Sequence, residues 1–433
     1  MCSIAVSNDK TEVLKMLQVM KHRAPDEEGI VEGEFNIGMG RLKIIDLKSD
    51  GLCPYKEGKY TITFNGEIYN YKEIRNELKL KGYNFRTNSD TEVLLKAYIE
   101  WKEKLFDKLN GMYAFAIYDG ITVFFARDIA GEKPLYYTKK PFRIASEAKA
   151  LNFECEELPP AHYGVYNGAL KIKKYWEPKI KEIRLKWAEE ELEYLLEDSI
   201  KLRTQADVPY GLYFSGGVDS SLISTFNGFE HLFSYEDKDY KEEFLELLPK
   251  IVHHLDYPVK SFSAFGLWKL AEEASKKVKV VLSGEGADEL FGGYVRYVLP
   301  EFNRKAQLEF PSYTSMFTNP KSVNDNGWEE FNGNMQELLR MGDRMASAWG
   351  IENRCPFLDK RIIEFAYSLP EEAKIQGLDT KIILNRILKK RWPDYKRIEK
   401  KGLFCSVNDW IGAKDKFSKE EYVNLQRKYR NTV

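Results

Sequence analysis

The 433-residue sequence is poor in cysteine and histidine, with five of each, and neither set carries a metal or disulfide signature. The cysteines stand at 2, 53, 155, 355 and 405 with no CxxC pair, and their odd number fits reduced thiols in a cytoplasm. The histidines stand at 22, 162, 231, 253 and 254, without HExxH or a cysteine at zinc spacing. His253-His254 therefore reads as a partly exposed pair on a helix. No run of 18 apolar residues occurs, so no membrane span is expected. The opening MCSIAVSNDK lacks a basic region ahead of a long apolar core and does not read as a secretion signal. A net charge of -1 gives the whole chain no pull on nucleic acid or on an anionic membrane. The last 63 residues carry 16 Lys+Arg against 9 Asp+Glu, which suits a solvated basic face or an anion-facing surface. No internal repeat or low-complexity tract is present.

What is there is a globular composition, 43% hydrophobic and 31% charged. The length exceeds one ordinary core, so two domains are expected. Residues 1 to about 176 are β-rich. Strands are predicted over 60–64, 113–118 and 121–126, the last two joined by a hairpin at Asp119-Gly120. Helices are predicted over 71–81 and 91–101. Trp176, Pro178 and mixed charges mark a boundary between 175 and 186, which divides the chain into 1–180 and 187–433. Beyond it a charged helix over 188–204 leads to a short apolar strand at 208–214, and Ser220 opens the next helix. A second buried strand is predicted at 278–282, then a mostly helical pattern to the end. The fold class predicted is an α+β sandwich followed by an α/β parallel sheet with helices.

Cys2 has only Met1 before it, and Cys is small enough for the initiator Met to be trimmed. A trimmed chain would begin with a thiol and a free α-amino group on one residue, able to act as nucleophile and base. The alternative is a small residue near a terminus.

Ser215-Gly216-Gly217-Val218-Asp219-Ser220-Ser221 joins a strand to a helix. Two glycines let the backbone turn its N–H groups toward a ligand, and the helix start adds partial positive charge, so the loop suits pyrophosphate. Phosphate would repel Asp219 unless a cation lay between them, so Asp219 reads as a Mg²⁺ ligand. No Gly-Lys-Ser/Thr follows, which excludes the Walker pattern. The plain alternative is a turn with an N-cap serine. Ser283-Gly284-Glu285-Gly286-Ala287-Asp288-Glu289 repeats the geometry after a second strand, at the sheet edge where α/β proteins bind ligands. There Asp288 fits a second metal ligand and Glu285 a residue that orients a reacting group; the alternative is an acidic helix start favoured by the dipole.

These loops and Cys2 resemble the glutamine-hydrolysing asparagine synthetases. Matching strings run in order through most of the chain: 1–4, 22–26, 41–46, 65–70, 89–92, 126–128 with 131–137, 145–147, the two loops, 354–359 and 381–386. The resemblance implies a class II glutamine amidotransferase domain of the N-terminal nucleophile type and a synthetase domain of the ATP-pyrophosphatase type. In the first, Cys2 attacks the glutamine amide and Asn65 and Gly66 supply the oxyanion donors. Arg41, on the string with Leu42 and Ile44, holds the glutamine carboxylate, while Glu67 and Asp90 take its ammonium end. In the second, ATP adenylylates the β-carboxylate of aspartate. Pyrophosphate leaves into Ser215, Gly216, Gly217 and Ser220, with Mg²⁺ on Asp219 and Asp288. Ser283 and Gly284 contact AMP, and Tyr213 and Tyr235 lie near the adenine. Glu285 serves adenylate formation and deprotonation of ammonia, and Lys381 stabilises negative charge. The implied substrates are glutamine, ATP and aspartate, with no nucleic acid or membrane partner, a cytoplasmic setting and a possible homodimer.

The sequence departs from the family at three places. Ala24 replaces a glycine, which costs about 1 kcal/mol only if the position needs positive φ. The stretch from 221 to 278 is only 58 residues, with His231–Glu236 as its one clear strand, so one edge of the nucleotide-binding sheet is expected to be trimmed. Tyr213 and Tyr235 stand where the family has aliphatic residues, and can border the base or simply pack in the core. The chain also finishes soon after Trp410. The trimmed segment motivates an alternative, the same architecture acting on a different carboxylate. A nucleic-acid modifier using the same pyrophosphate loop is a further reading that the N-terminal glutaminase half disfavours, and a degraded binding or regulatory protein one that the nearly intact chemical residues disfavour.

Overall fold

The structure is a computed structural model that describes residues 1–49, 52–181, 183–236, 238, 240–256, 261, 263–294, 297 and 322–396. Asp237, Cys405, the helical pattern expected over 298–321 and the basic stretch beyond 396 lie outside the described residues.

Two six-stranded antiparallel sheets stack face to face. The first has the order β10-β8-β9-β1-β3-β2, from β1 (Ser3–Ser7), β2 (Glu27–Val31), β3 (Asn36–Arg41), β8 (Tyr136–Lys139), β9 (Phe142–Ala145) and β10 (Glu156–Glu157). The second has the order β12-β11-β7-β6-β5-β4, from β4 (Tyr55–Glu57), β5 (Tyr60–Ile68), β6 (Gly111–Tyr118), β7 (Val123–Arg127), β11 (His162–Tyr166) and β12 (Leu170–Lys174). Side chains alternate across each strand. Ile4 and Val6 of β1 meet Ala114, Ala116 and Phe125 between the sheets, while Ala5 faces Val13, Met16 and Leu17 of α1 (Lys10–Val19). On the far side Phe64, Phe115, Ile117 and Phe124 pack on α2 (Tyr71–Leu80) and α3 (Asp90–Trp101). The layers are helix, sheet, sheet, helix. Strands covered on both faces read as continuous apolar runs, which is why 113–118 was legible.

The second half holds a four-stranded parallel sheet of order β14-β13-β15-β16: β13 (Tyr210–Tyr213), β14 (Leu232–Phe233), β15 (Val280–Leu282) and β16 (Glu352–Arg354). One face is covered by α6 (Lys241–Leu255), α7 (Ser263–Ser275) and α10 (Asn334–Ala348). The other face packs on α4 (Leu185–Arg203), α5 (Val218–Ser224), α8 (Ala287–Phe291), α9 (Val323–Asn332), α11 (Lys360–Ser368) and α12 (Ile382–Arg391). This is the two-part α+β and α/β class expected from sequence.

Several elements differ from the sequence expectation. β7 starts at Val123, because the side chain of Asp119 accepts from the N–H groups of Ile121 and Thr122 and closes the turn ahead of it. β14 spans two residues rather than 231–236. Past Phe233 the carbonyl of Phe214 is taken by the Ser234 hydroxyl at 2.7 Å, so the ladder stops. β16 has no counterpart in the sequence reading. Ala24 has φ of -139°, so the position does not need positive φ and the conditional cost of replacing the glycine does not arise. His253 and His254 lie half-buried near the end of α6.

Candidate active sites

Cys2 sits one residue ahead of β1, opposite the middle of β5. Its N–H donates to Asn65 Oδ1 at 2.9 Å, and Arg23 Nε donates to its carbonyl at 3.1 Å. Both bonds hold backbone and leave the thiol to a ligand. Burial pushes that thiol's pKa up; the amino terminus, the backbone at Leu42 and the Arg41 guanidinium pull the other way.

Asn65 is completely buried, and its Nδ2 has no hydrogen-bond partner among the described residues. A buried donor left without a partner is rare in folded proteins. Beside the Cys2 thiol it is suited to meet an oxyanion. Gly66 has φ of 143°, and a Cβ there would lie 2.0 Å from the Met112 carbonyl. The pair is thus part of a strand wedged against β6. Replacing Asn65 with Ala is expected to lower kcat for glutamine hydrolysis by about 10²–10³ while shifting KM little, as read by glutamate release.

Glu67 and Asp90 are both buried. Asp90 Oδ2 accepts from the Ile68 N–H at 3.0 Å. Burial, then the neighbouring Asp90, raise Glu67 well above the usual carboxylate range, and burial raises Asp90 to about 6. Two acids pushed up in this way favour an incoming ammonium group, whose charge offsets their repulsion. An ammonium ligand binds the ionised form. As pH falls through about 6, protonation of Asp90 competes with it, so glutamine KM is expected to climb toward tenfold per pH unit below that point. Glutaminase KM measured from pH 5 to 8 checks this.

Arg41 is buried rather than a surface charge. Its Nη2 donates to the carbonyls of Ile45 and Asp46, both at 2.9 Å, and its Nη1 reaches Glu27 at 3.4 Å. Leu42 and Ile44, the other expected glutamine contacts, are buried on the segment that follows.

The second site lies at the C-terminal ends of the parallel strands. Ser215 N–H donates to Ser220 Oγ at 3.1 Å, the two hydroxyls are 3.1 Å apart, and Gly217 N–H donates to Ser215 Oγ at 3.3 Å. The Tyr395 hydroxyl donates to the Gly216 carbonyl at 3.0 Å. Across the loop, Lys381 Nζ donates to both Asp219 oxygens, at 2.7 and 2.6 Å, and lies 2.8 Å from Asp288 Oδ1. The two carboxylates hold this ammonium firmly enough to keep it protonated despite its burial. An ammonium gripped by two hard carboxylates occupies the position a divalent cation would take, so this donor set fits Mg²⁺. Gly293 lies close beside it: a Cβ there would fall 1.9 Å from Asp288 Oδ1 and 2.2 Å from Lys381 Cε, so both side chains would have to shift.

Ser283 is buried, with its hydroxyl 3.7 Å from the Cys355 sulfur, and a Cβ on Gly284 would meet Asp219 Cβ at 2.8 Å. The loops at 215 and 283 are therefore in contact. Burial raises the Glu285 carboxyl, Ser283 lowers it, and Asp219 and Asp288 add to the rise. Tyr213 and Tyr235 both pack on the apolar cluster of α6, α7 and α10, and Tyr235 stacks on Tyr240 with centroids 6.2 Å apart.

Sequence reading assigned no role to the residues that join the two sites. Glu352 and Arg354 of β16 are buried, with Arg354 Nε bonded to Glu352 at 3.0 Å and Arg354 Nη2 at 3.6 Å from Glu67. The Arg354 carbonyl accepts from Ser283 N–H at 3.1 Å. Arg23 Nη1 bridges Glu147 at 2.9 Å and Asp343 at 2.8 Å, and Arg344 joins the same cluster. Met1 fills buried space between the halves, its sulfur 3.2 Å from Lys133 Nζ.

A family model described as a glutamine amidotransferase domain matches residues 1–176. Another, described as asparagine synthase, matches 191–231, 240–336 and 328–427. The chain is 30% identical to asparagine synthetase (glutamine-hydrolyzing) 1 of Bacillus subtilis, over 94% of its own length and 86% of that protein. It is 30% identical to the asparagine synthetase (glutamine-hydrolyzing) of Sandersonia aurantiaca, over 91% of its length and 81% of that protein. Among solved structures, the Bacillus subtilis glutamine phosphoribosylpyrophosphate amidotransferase complexed with ADP and GMP aligns with a TM-score of 0.35 at 16% identity, over 55% of this chain and 65% of that one.

Proposed function

The chain belongs to the glutamine-hydrolysing asparagine synthetase family, and we propose that it converts aspartate to asparagine with glutamine as nitrogen donor and ATP as energy source. The observation that carries this reading is β16. A three-residue strand touches Glu67 in the glutamine site through the Arg354 side chain and Ser283 in the nucleotide site through the Arg354 carbonyl. This contact supports a reading in which a source of ammonia and its consumer are built against one another.

In this reading Met1 is removed and the freed Cys2 amine, already bonded to Asn65 Oδ1, activates the thiol. The thiolate attacks the amide carbon of glutamine, held by Arg41 at its carboxylate and by Glu67 and Asp90 at its ammonium group. Asn65 Nδ2 and the Gly66 N–H receive the oxyanion, ammonia leaves, and water cleaves the thioester to glutamate.

In the second site the Ser215, Gly216, Gly217 and Ser220 loop receives the pyrophosphate, and Ser283 and Gly284 border AMP. Tyr213 and Tyr235 line the adenine side. Asp219 and Asp288 would hold Mg²⁺, which neutralises phosphate charge when bound. Lys381, released from the two carboxylates, balances charge on the phosphates. The β-carboxylate of aspartate displaces pyrophosphate from ATP. Ammonia then displaces AMP from the aspartyl adenylate, and Glu285 takes the proton. Cysteines without framework spacing fit a cytoplasmic enzyme, and a homodimer is part of the same reading.

Incubation with amide-¹⁵N-glutamine, ATP, Mg²⁺ and aspartate tests it. Equimolar AMP and side-chain-labelled asparagine are expected; glutamate without AMP would refute the synthetase assignment.

A further inference from the structure

Arg354 of β16 is fully buried, and most of its guanidinium is engaged by its own half of the chain. Its Nε donates to Glu352 at 3.0 Å and its Nη1 to the carbonyls of Arg203 and Gln205, both at 2.9 Å. These bonds, to β16 itself and to the end of α4, fix the plane of the group. Its Nη2 has no hydrogen-bond partner among the described residues and lies 3.6 Å from Glu67 Oε2 on β5, in the other half. The guanidinium carbon also stands 5.8 Å from the centre of the Tyr69 ring, two residues beyond Glu67. Burial opposes the charge of Arg354, and Glu67 and then Glu352 more than make up for it.

Glu67 and Asp90 need such a charge. Both are buried, and two ionised carboxylates sharing a dry site repel one another. The charged groups around Glu67 are Asp90 at the start of α3, Arg354 and Glu352 on β16, and the amino terminus ahead of β1; the Tyr71 hydroxyl of α2 senses both acids. The amino terminus and Lys133 act on the Glu352 carboxylate. Among the described residues, Arg354 is the cation within ion-pair distance of Glu67. We propose that Arg354 is a positioning residue of the glutamine site, contributed by the synthetase half: its guanidinium is the counter-charge that lets Glu67 and Asp90 stand ionised side by side for the substrate's ammonium group. This rests on the reading of those two acids as the ammonium acceptors. Arg354 acts through Glu67 and not on the substrate itself. The glutamine site, framed by the first half, is then complete only with β16 seated against it, so release of ammonia is tied to the presence of the half that uses it.

The test is glutamine KM for glutamate release by the full chain, measured from pH 5 to 8. Arg354→Met keeps much of the bulk and removes the charge. Without that cation the acids protonate more readily, so the pH at which KM begins to climb should move up from about 6 by about one unit or more, the low end of what an opposite charge at this range contributes. Glu352→Gln removes an anion that shares the guanidinium and repels the two acids. Its onset should move down, and its KM at pH 5 should fall below that of the unchanged protein. Arg354→Lys, which keeps the charge, should lie closer to the unchanged protein than Arg354→Met does. A purely structural role would weaken the variants without moving their onsets in opposite directions. An onset left in place by Arg354→Met overturns the proposal. So does an onset unmoved or raised by Glu352→Gln, which decides the matter alone if Arg354→Met does not fold. If the unchanged protein releases glutamate with no climb in KM toward acid pH, the reading of Glu67 and Asp90 fails; if it shows the climb and the variants do not shift it, only the role of Arg354 fails.

Discussion

Cys2→Ala is expected to abolish glutamine-dependent synthesis, by on the order of 10³-fold or more, while leaving ammonia-dependent synthesis close to that of the unchanged protein. The thiol is the only part of Cys2 that the substitution removes. Its N–H bond to Asn65 and its carbonyl bond from Arg23 are backbone contacts and persist in alanine. The parallel sheet lies in the other half of the chain, and its loops make no use of the thiol. The measurement is asparagine formation with glutamine and then with ammonium chloride at saturating ATP and aspartate. Loss with both donors would mean that the two halves are coupled through Cys2 itself rather than through ammonia.

Lys381→Met has the second large effect, and it has two parts. The ammonium group is nearly buried, at 6% exposure, between carboxylates at 14% and 17%. Removing one partner of such a group leaves its counter-charges facing one another, at a cost of about 3 kcal/mol. The variant should therefore melt several degrees lower in the absence of Mg²⁺. Added Mg²⁺ should recover more of that loss than it adds to the unchanged protein, because the vacated position between Asp219 and Asp288 suits a divalent cation. In the proposed reaction Lys381 balances transition-state charge, so synthesis should still fall by about 10²-fold or more. Thermal melts with and without MgCl₂, beside the product assay, read both parts. A variant with full activity would remove Lys381 from the site.

Much of this was legible in the sequence, for identifiable reasons. The loops at 215–221 and 283–289 place glycine, serine and acids directly after short apolar strands, a local pattern that survives without knowledge of the fold. β5 and β6 read as strands because apolar residues fill both faces. Asn65-Gly66 was legible as chemistry and ambiguous as structure. The dipeptide favours a turn locally, and only its pairing with β6 puts it in a strand, where the positive φ of Gly66 and the Met112 carbonyl forbid any other residue.

β16 was not legible. Glu352-Asn353-Arg354 has no apolar periodicity, and its burial is offset by ion pairs with groups far away in sequence, among them Glu67. The Arg23–Asp343 pair spans 320 residues and leaves no local trace. The residues that join the halves are those whose sense depends on both halves being folded.

In the proposed function, ammonia released at Cys2 is delivered to an activated aspartate. The most direct measurement is carboxylate-dependent exchange of labelled pyrophosphate into ATP, run across aspartate, glutamate and a panel of other carboxylic acids. Exchange with aspartate, well above every other acid, followed by asparagine when glutamine is added, is the predicted result. Exchange with a different carboxylate and none with aspartate would contradict the account.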